Sequence, residues 1–575
     1  MPSPTPAPTP APTSGALRIV RDVIVVDGGS GAGAEHGEPV DVVIGRDGRI
    51  ARVEPRGTTR DADTDADADT DADGQVVDGD GRLLLPGFVD AHAHADGLLF
   101  DPDVQLALLR QGVTTVIGGQ DGVSYAPGDG AYASEYFAAI NGRHPTYRGG
   151  GIRDLLASYD DATALNQALL VPAGTVRGLV CGRSTDAASP AELDAMLALV
   201  AEGLADGAVG LSTGLDYVPG AFATTDELAR LVEPVAAAGG VYVSHMRGGY
   251  ESGSQTGIDE IRAIAQHAGV GVHVSHFHAE PHLVHGLMAG LAASGVDASF
   301  DAYPYTRGCS ILAMPVLPAA LTVRPTAEVL AVLADPGERR RLLDAWFPTI
   351  VDYPSLGPDW PEMLTLAHVA APAFAWAHGL TIGAAATRAG ATPAEFTLDV
   401  LAASRLEVNV VMAVRYARTD ADLASILAHP LAMGGSDGIF VGAHPHPRAR
   451  GSFARYLRSL VVERGALSWA DAAALVSTRA ADRFGLGDRG RVRPGAVADL
   501  VLVDPARVDD RATYDEPLAL AEGIDDVLVA GVPVLAGGRL TGATPGRGIR
   551  RSRSELVIDD GLETALRASS TGRKA

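Results

Sequence analysis

The chain has 575 residues, 46% of them hydrophobic, enough for a large buried core and more than one domain. Its formal net charge of −25 repels phosphate backbones and anionic lipid surfaces, which argues against a nucleic-acid or membrane partner. Two cysteines, Cys181 and Cys309, are too few for a secreted disulfide framework. With no signal-peptide pattern at Met1 and no run of about 18 apolar residues, a cytoplasmic location is the simplest expectation.

Residues 1–16 form a Pro/Thr/Ala-rich tail, expected to be extended and disordered. Alternating apolar residues from Leu17 predict a strand, and 41–53 reads as a hairpin turning at Asp47-Gly48. The acidic repeat DADTDADADTDAD (61–73) repels itself and is expected to be a solvated surface loop. Residues 17–80 are therefore predicted to be the N-terminal part of a β-sandwich.

From 81 to 485 the pattern becomes short apolar runs alternating with helix-like segments. The runs are 83–92, 113–119, 176–182, 207–212, 240–245, 270–276, 296–303 and 431–437. One intervening segment, Ser189–Gly207, opens with Ser-Pro and carries Glu192 as a capping-box acid. Eight strands separated by helices predict an α/β fold, a closed (β/α)8 TIM-like barrel. The last interval, 304–430, is too long for one crossover, so an insertion is expected at about 306–380, between strands 7 and 8. The strand-rich stretch 486–560, with Gly turns, is predicted to complete the sandwich begun at the N-terminus. A tail follows at 561–575.

Polar residues cluster at the carboxyl ends of these strands. Strand 1 ends in Asp90-Ala91-His92-Ala93-His94, strand 2 in Gln120-Asp121, strand 5 in His245, strand 6 in His276 and strand 8 in Asp437. In a barrel those ends ring one mouth, where the active sites of this fold lie. Period-two alternation places His92 and His94 on one face, able to grip one ion. Four histidines with Asp121 and Asp437 suit Zn²⁺. Taken singly, His245 and His276 are equally readable as satisfied core histidines; it is their joint placement that carries the metal reading. Cys181 reads as a buried apolar residue at the end of strand 3.

The segments PGFVDAHAH (86–94), QGVTTVIGGQDGVSYAP (111–127), GLSTGLDYVPG (210–220), YVSHMR (242–247), VSHFH (274–278), DAYPY (301–305), GGSDG (434–438), HPRARGSFARYL (446–457) and TGATPGRGIRR (541–551) resemble, in order, those of the D-aminoacylase (N-acyl-D-amino-acid deacylase) family of the amidohydrolase superfamily. The resemblance implies one or two zinc ions. His92, His94 and Asp437 would form the more exposed site, and His245 and His276 the tighter one. It also implies substrate contacts from Tyr217, Tyr303, His278 and Arg448, with Arg448 gripping the α-carboxylate of a small N-acylated amino acid. Two positions depart from the family. Asp121 stands where the family has a bridging cysteine, and a carboxylate can bridge two ions through its two oxygens. His278 replaces a lysine, so carboxylate affinity is expected to be weaker or pH-dependent.

The expected reaction is amide hydrolysis. Zinc lowers the pKa of water and polarises the carbonyl, while Asp437 takes the water's proton and passes it to the departing amine. Asp437 is also readable as a turn aspartate in Gly-Ser-Asp-Gly, Arg448 as a surface arginine, and the tyrosines as packed aromatics. Two other functions stay open from the residues alone: an amidohydrolase acting on cyclic amides or unusual dipeptides, and a catalytically inactive barrel that only binds. Neither the acyl group, the side-chain preference nor the oligomeric state is written in these motifs.

Overall fold

The computed structural model describes residues 18–28, 37–58, 76–352, 356–415 and 418–551; the two tails and the acidic repeat lie outside them. Eight strands run parallel in the order β6 (Phe88–Asp90), β8 (Val113–Gly118), β9 (Asn166–Pro172), β10 (Gly210–Gly214), β11 (Val241–His245), β12 (Gly271–Val274), β13 (Ala298–Ala302) and β17 (Ala432–Gly434). The ring closes where Ala91 N–H donates to Gly434 O at 3.0 Å. It also closes where β7 (Ala93–His94) pairs in parallel with β18 (Gly438–Ile439). Every strand pair is parallel because a helix-bearing crossover returns the chain to the same end each time. The predicted helix forms over Pro190–Ala205, capped by Ser189 with Glu192 closing the capping box.

Two of the expected strands are placed differently. The run 176–182 is not strand 3; it lies in the helix Ala173–Cys181, and the strand is β9, Asn166–Pro172. Polar Asn166 and Gln167 hid that strand: inside the barrel Asn166 donates to Thr115 Oγ1 at 3.3 Å and Asp499 Oδ2 at 3.2 Å. Cys181 is consequently a half-buried residue at a helix C-terminus. The run 83–92 is two strands, not one, divided at Gly87: β5 (Leu83–Pro86) belongs to the second sheet and β6 to the barrel. A Cβ at Gly87 would stand 2.2 Å from Thr114 Oγ1, so the crossing between sheets needs glycine.

The second sheet draws on both chain ends. β1 (Arg18–Val25), β2 (Val40–Ile44), β3 (Ile50–Pro55), β4 (Val76–Asp78) and β5 come from the N-terminal side. β19 (Leu500–Val503), β20 (Ile524–Val529), β21 (Val532–Ala536) and β22 (Arg539–Leu540) come from the C-terminal side. β5 joins the two groups, parallel to β1 and antiparallel to β19. The β2–β3 hairpin turns at Gly48, φ +74°. β1 is irregular between Val20 and Val23, and its two ends pair with different neighbours. The sheet thereby encloses its own core of Val20, Val42, Ile44, Leu84, Leu500 and Leu528. The C-terminal segment does not end in this sheet: β23 (Gly548–Ile549) pairs with β9 of the barrel.

Between β13 and β17 lies the insertion. It carries a small antiparallel sheet, β14 (Gly308–Ile311), β16 (Val408–Met412) and β15 (Leu364–Val369), in the order β14-β16-β15. Its central strand is Val408–Met412, so the inserted structure reaches well past residue 380. Inside the barrel the lower layer is apolar (Val89, Ile117, Leu170, Val243, Met433), closed below by Phe484 and Ile549. Among the described residues no helix is long and apolar enough to cross a membrane.

Candidate metal and amide-hydrolysis site

Above the apolar layer the strand ends turn polar. His92 precedes β7 and His94 ends it; Asp121 lies in the turn after β8, His245 ends β11, His276 follows β12, and Asp437 lies between β17 and β18. All six side chains meet. Asp121 is at the centre: Oδ1 lies 3.7 Å from Nε2 of both His92 and His276. Oδ2 lies 3.6 Å from His94 Nε2 and 3.8 Å from His245 Nδ1. Asp437 Oδ1 lies 3.3 Å from His94 Nε2 and 3.9 Å from His92 Nε2. His245 Nδ1 and His276 Nε2 are 3.1 Å apart.

These separations fit a shared cation. Two ligands at zinc bond lengths and tetrahedral angles stand about 3.4 Å apart. Two triads bring their ligand atoms within 4.8 Å of one another, His92–Asp121–His276 and His92–His94–Asp437, and all are buried. Nε2 of His92 and Oδ1 of Asp121 are buried without a hydrogen-bond partner, an arrangement costly in a fold that does not place a ligand there. The two oxygens of Asp121 face different histidines, as a bridging group requires.

The backbone is bent to make this set. Asp121, His276 and Asp437 take positive φ of 54°, 33° and 48°, a region that side-chain-bearing residues rarely adopt. Gly435 sits under the site where a Cβ would come within 2.7 Å of Asp301 Oδ1.

A ring of further residues holds these six side chains, and none of that ring was assigned a role from the sequence. Asp301 accepts from His276 N–H at 2.9 Å, meets His273 Nε2 at 2.9 Å and lies 3.5 Å from His92 Nδ1. Asn141 Oδ1 meets His94 Nδ1 at 3.0 Å, and Asp216 Oδ2 lies 3.3 Å from His245 Nε2. Each fixes the ring nitrogen pointing away from the centre, which is how ligand histidines are oriented. Asp90 accepts from Ser436 N–H and Oγ–H and from His92 N–H, tying strand 1 to strand 8. Asp216 and Asp301 stand inside quoted motifs; Asn141 ends the one-turn helix Ala138–Asn141, too short to show a periodic signal.

The charges are strongly coupled. Burial pulls His92 down, yet Asp301, Asp121 and Asp437 together carry it up to about 9. Burial pushes Asp121 up, but the surrounding histidines outweigh it and hold the carboxyl below its ordinary range. Asp437 behaves likewise: burial opposes ionisation, and Arg448 with the histidines keeps it ionised. Asp90 is pushed up to about 7 by burial, against its hydrogen bonds from Ser436 and His92.

Of the other expected residues, Arg448 is 1% exposed, with Nη2 2.8 Å from Asp437 Oδ2 and its guanidinium 4.5 Å over the Tyr303 ring. Its Nε and Nη1 are buried without partners. Tyr217 packs between the rings of His245 and Phe137, both at 4.9 Å. His278 is 4.0 Å from the Tyr303 ring, but its nitrogens face the carbonyls of His276 (2.7 Å) and Tyr303 (3.1 Å). Burial, with Arg418 nearby, drives it down to about 3, so the ring is neutral and has one N–H to donate to one of the two carbonyls.

Residues 75–535 match the family model described as amidohydrolase family. The chain belongs to the amidohydrolase family. Among its relatives, the N-acyl-D-aspartate deacylase of Alcaligenes xylosoxydans xylosoxydans is 32% identical over 482 residues, covering 82% of this chain and 86% of that protein. The D-aminoacylase of the same organism is 30% identical over 496 residues, covering 83% and 89%. The amidohydrolase architecture also matches the crystal structure of N-acyl-D-glutamate deacylase from Bordetella bronchiseptica, complexed with zinc and a phosphonate mimic of the reaction's tetrahedral intermediate. That match has a TM-score of 0.73 and 28% identity, covering 92% of this chain and 99% of the other.

Proposed function

We propose that this amidohydrolase cleaves the amide bond of N-acyl-D-amino acids, releasing a carboxylate and a free D-amino acid. The observation that carries the reading is Arg448: a buried guanidinium beside Asp437 with two unpartnered N–H groups, facing a site whose relatives are deacylases of N-acyl-D-amino acids. An α-carboxylate fits those two donors as a bidentate partner.

His92, His94 and Asp437, with His245, His276 and the bridging Asp121, would hold one or two zinc ions. Zinc bound there polarises the amide carbonyl and acidifies water. Oδ2 of Asp437 is held by Arg448, which leaves Oδ1 to accept a proton from the attacking water as its oxygen bonds to the carbonyl carbon. Asp437 then returns that proton to the amide nitrogen as the C–N bond breaks. Arg448 orients the amino-acid half through its carboxylate, with the ring of Tyr303 beneath its guanidinium and Tyr217 packed against His245. His278, with its nitrogens on carbonyls, serves by fixing Tyr303 and the backbone of His276. A cytoplasmic place of action belongs to the same proposal and is supported by two free cysteines.

The test is a substrate panel on chelator-treated and zinc-restored enzyme: N-acetyl-D- and L-amino acids, hydantoins and isoaspartyl dipeptides. Zinc-dependent turnover of the N-acetyl-D-amino acids is expected. Turnover of hydantoins or dipeptides without it would sink the proposal.

A further inference from the structure

The helix Arg448–Arg455 opens on the arginine that pairs with Asp437. The first amides of a helix have no partner inside it, and serine, threonine, aspartate or asparagine usually supplies one. Here a histidine does. His446 is fully buried, and its Nδ1 accepts from Arg448 N–H at 3.0 Å. Its Nε2 lies 3.0 Å from the carbonyl oxygen of Arg307, the residue before β14. These two bonds fix the tautomer. A nitrogen that accepts from an amide carries no proton, so the ring proton is on Nε2 and is donated to the Arg307 carbonyl. Burial and the charge of Arg448 both hold the ring well below its ordinary basicity, in agreement with that assignment.

The residue type has a physical reason. An aspartate at 446 would cap the amide but set a second anion beside Arg448, in competition with an incoming carboxylate. Serine or asparagine would cap it without reaching Arg307. Imidazole accepts at one end and donates at the other while staying uncharged. The ring is also packed edge-on by Tyr305 at 5.4 Å and Tyr514 at 5.2 Å. Tyr514 comes from the loop between β19 and β20 of the second sheet. Its hydroxyl accepts from Arg307 N–H at 3.2 Å, and its ring lies 4.3 Å from the Arg307 guanidinium. Its carbonyl meets His444 Nε2 at 2.8 Å. Tyr514, Arg307, His446 and Arg448 thus form one line of contacts from the second sheet to the guanidinium over Tyr303.

We propose that His446 is the positioning residue for Arg448: bracketed between the Arg448 N–H and the Arg307 carbonyl, it fixes where the guanidinium meets the substrate's α-carboxylate. This rests on the N-acyl-D-amino-acid reading above and deepens it by assigning the support on which that grip depends.

The test measures kcat and KM for an N-acetyl-D-amino acid and for its α-carboxamide, in wild type, His446→Asn and His446→Gln. Asparagine places an oxygen where Nδ1 stands and keeps the acceptor for Arg448 N–H. Glutamine places its amide where Nε2 stands and loses that acceptor. The kcat/KM ratio of carboxylate to carboxamide should fall about 10-fold in His446→Gln, mainly through KM, as for one charge-assisted hydrogen bond. It should stay within about twofold of wild type in His446→Asn. Any effect that reaches the chemistry through Asp437 falls on both substrates and cancels in the ratio. An unchanged ratio in His446→Gln, or an equal fall in both variants, would overturn the proposal. If His446→Gln does not fold, Tyr514→Phe carries the test by removing the hydroxyl that holds Arg307 N–H. A ratio lowered about threefold is then expected, and an unchanged ratio overturns the proposal. A wild-type enzyme inert toward every N-acetyl-D-amino acid would instead sink the substrate reading, and this inference with it.

Discussion

Replacing Asp301 with asparagine tests whether the carboxylate behind the histidines sets metal affinity. Asp301 is fully buried and touches three groups at once: His273 Nε2 and His276 N–H, each at 2.9 Å, and His92 Nδ1 at 3.5 Å. Asparagine keeps the shape and one acceptor oxygen, so His276 N–H retains its partner. What is lost is the negative charge behind His92, the leading influence raising that ring's basicity. Loss of a comparable partner to a ligand histidine typically lowers metal affinity 10- to 100-fold, or about 1.4–2.7 kcal/mol. Weakening a charge-assisted hydrogen bond also costs the metal-free fold about 2 kcal/mol. Zinc affinity is read by competition against a chelating dye, and metal-free stability by denaturant titration. Zinc affinity within about twofold of wild type, with a native circular dichroism spectrum, would refute the assignment.

Two further outcomes follow from the same geometry. Asp437→Asn cannot accept a proton, so kcat should fall by about 10²–10⁴ while the fold is kept; normal turnover would remove Asp437 from the chemistry. His278 has its pKa depressed to about 3 in the folded state, against about 6.5 for a free histidine. Between those values the unfolded chain binds a proton that the folded one excludes. The stability that neutral His278 contributes is complete above pH 6.5 and is lost as pH falls toward 3, by about 1.4 kcal/mol per unit. Stability of His278→Gln should therefore fall less steeply with acid across that window, measured by denaturant unfolding; parallel curves would show the ring is not held neutral.

Much of the site was readable in the sequence because barrel geometry converts strand order into position. A polar residue at the carboxyl end of an apolar run has one place to go, so His92, His94, Asp121, His245, His276 and Asp437 could be gathered without coordinates. Strand 3 failed for a complementary reason. Asn166 and Gln167 are both buried, on opposite faces at the start of the strand, so it begins without an apolar signature, while the Val/Leu-rich helix beside it has one. Asp301, Asn141 and Asp216 escaped because orienting a ring from behind imposes no spacing on the chain. The pairing of Arg448 with Asp437 likewise depends on three-dimensional approach: ten residues, β18 among them, separate the two, and nothing in that interval states that the two side chains meet.

The junction at β5 has a consequence for how the molecule is made. Its partner β19 is translated some four hundred residues later, and the histidines of strand 1 begin only six residues after Pro86. A ribosome-bound chain can hold every candidate metal ligand and still lack the neighbour that anchors the first of them. Pairings this distant in sequence slow folding, because a very long loop must close before they form. Competence to capture the ion is therefore expected to arrive late in synthesis, set by a strand that contributes no ligand.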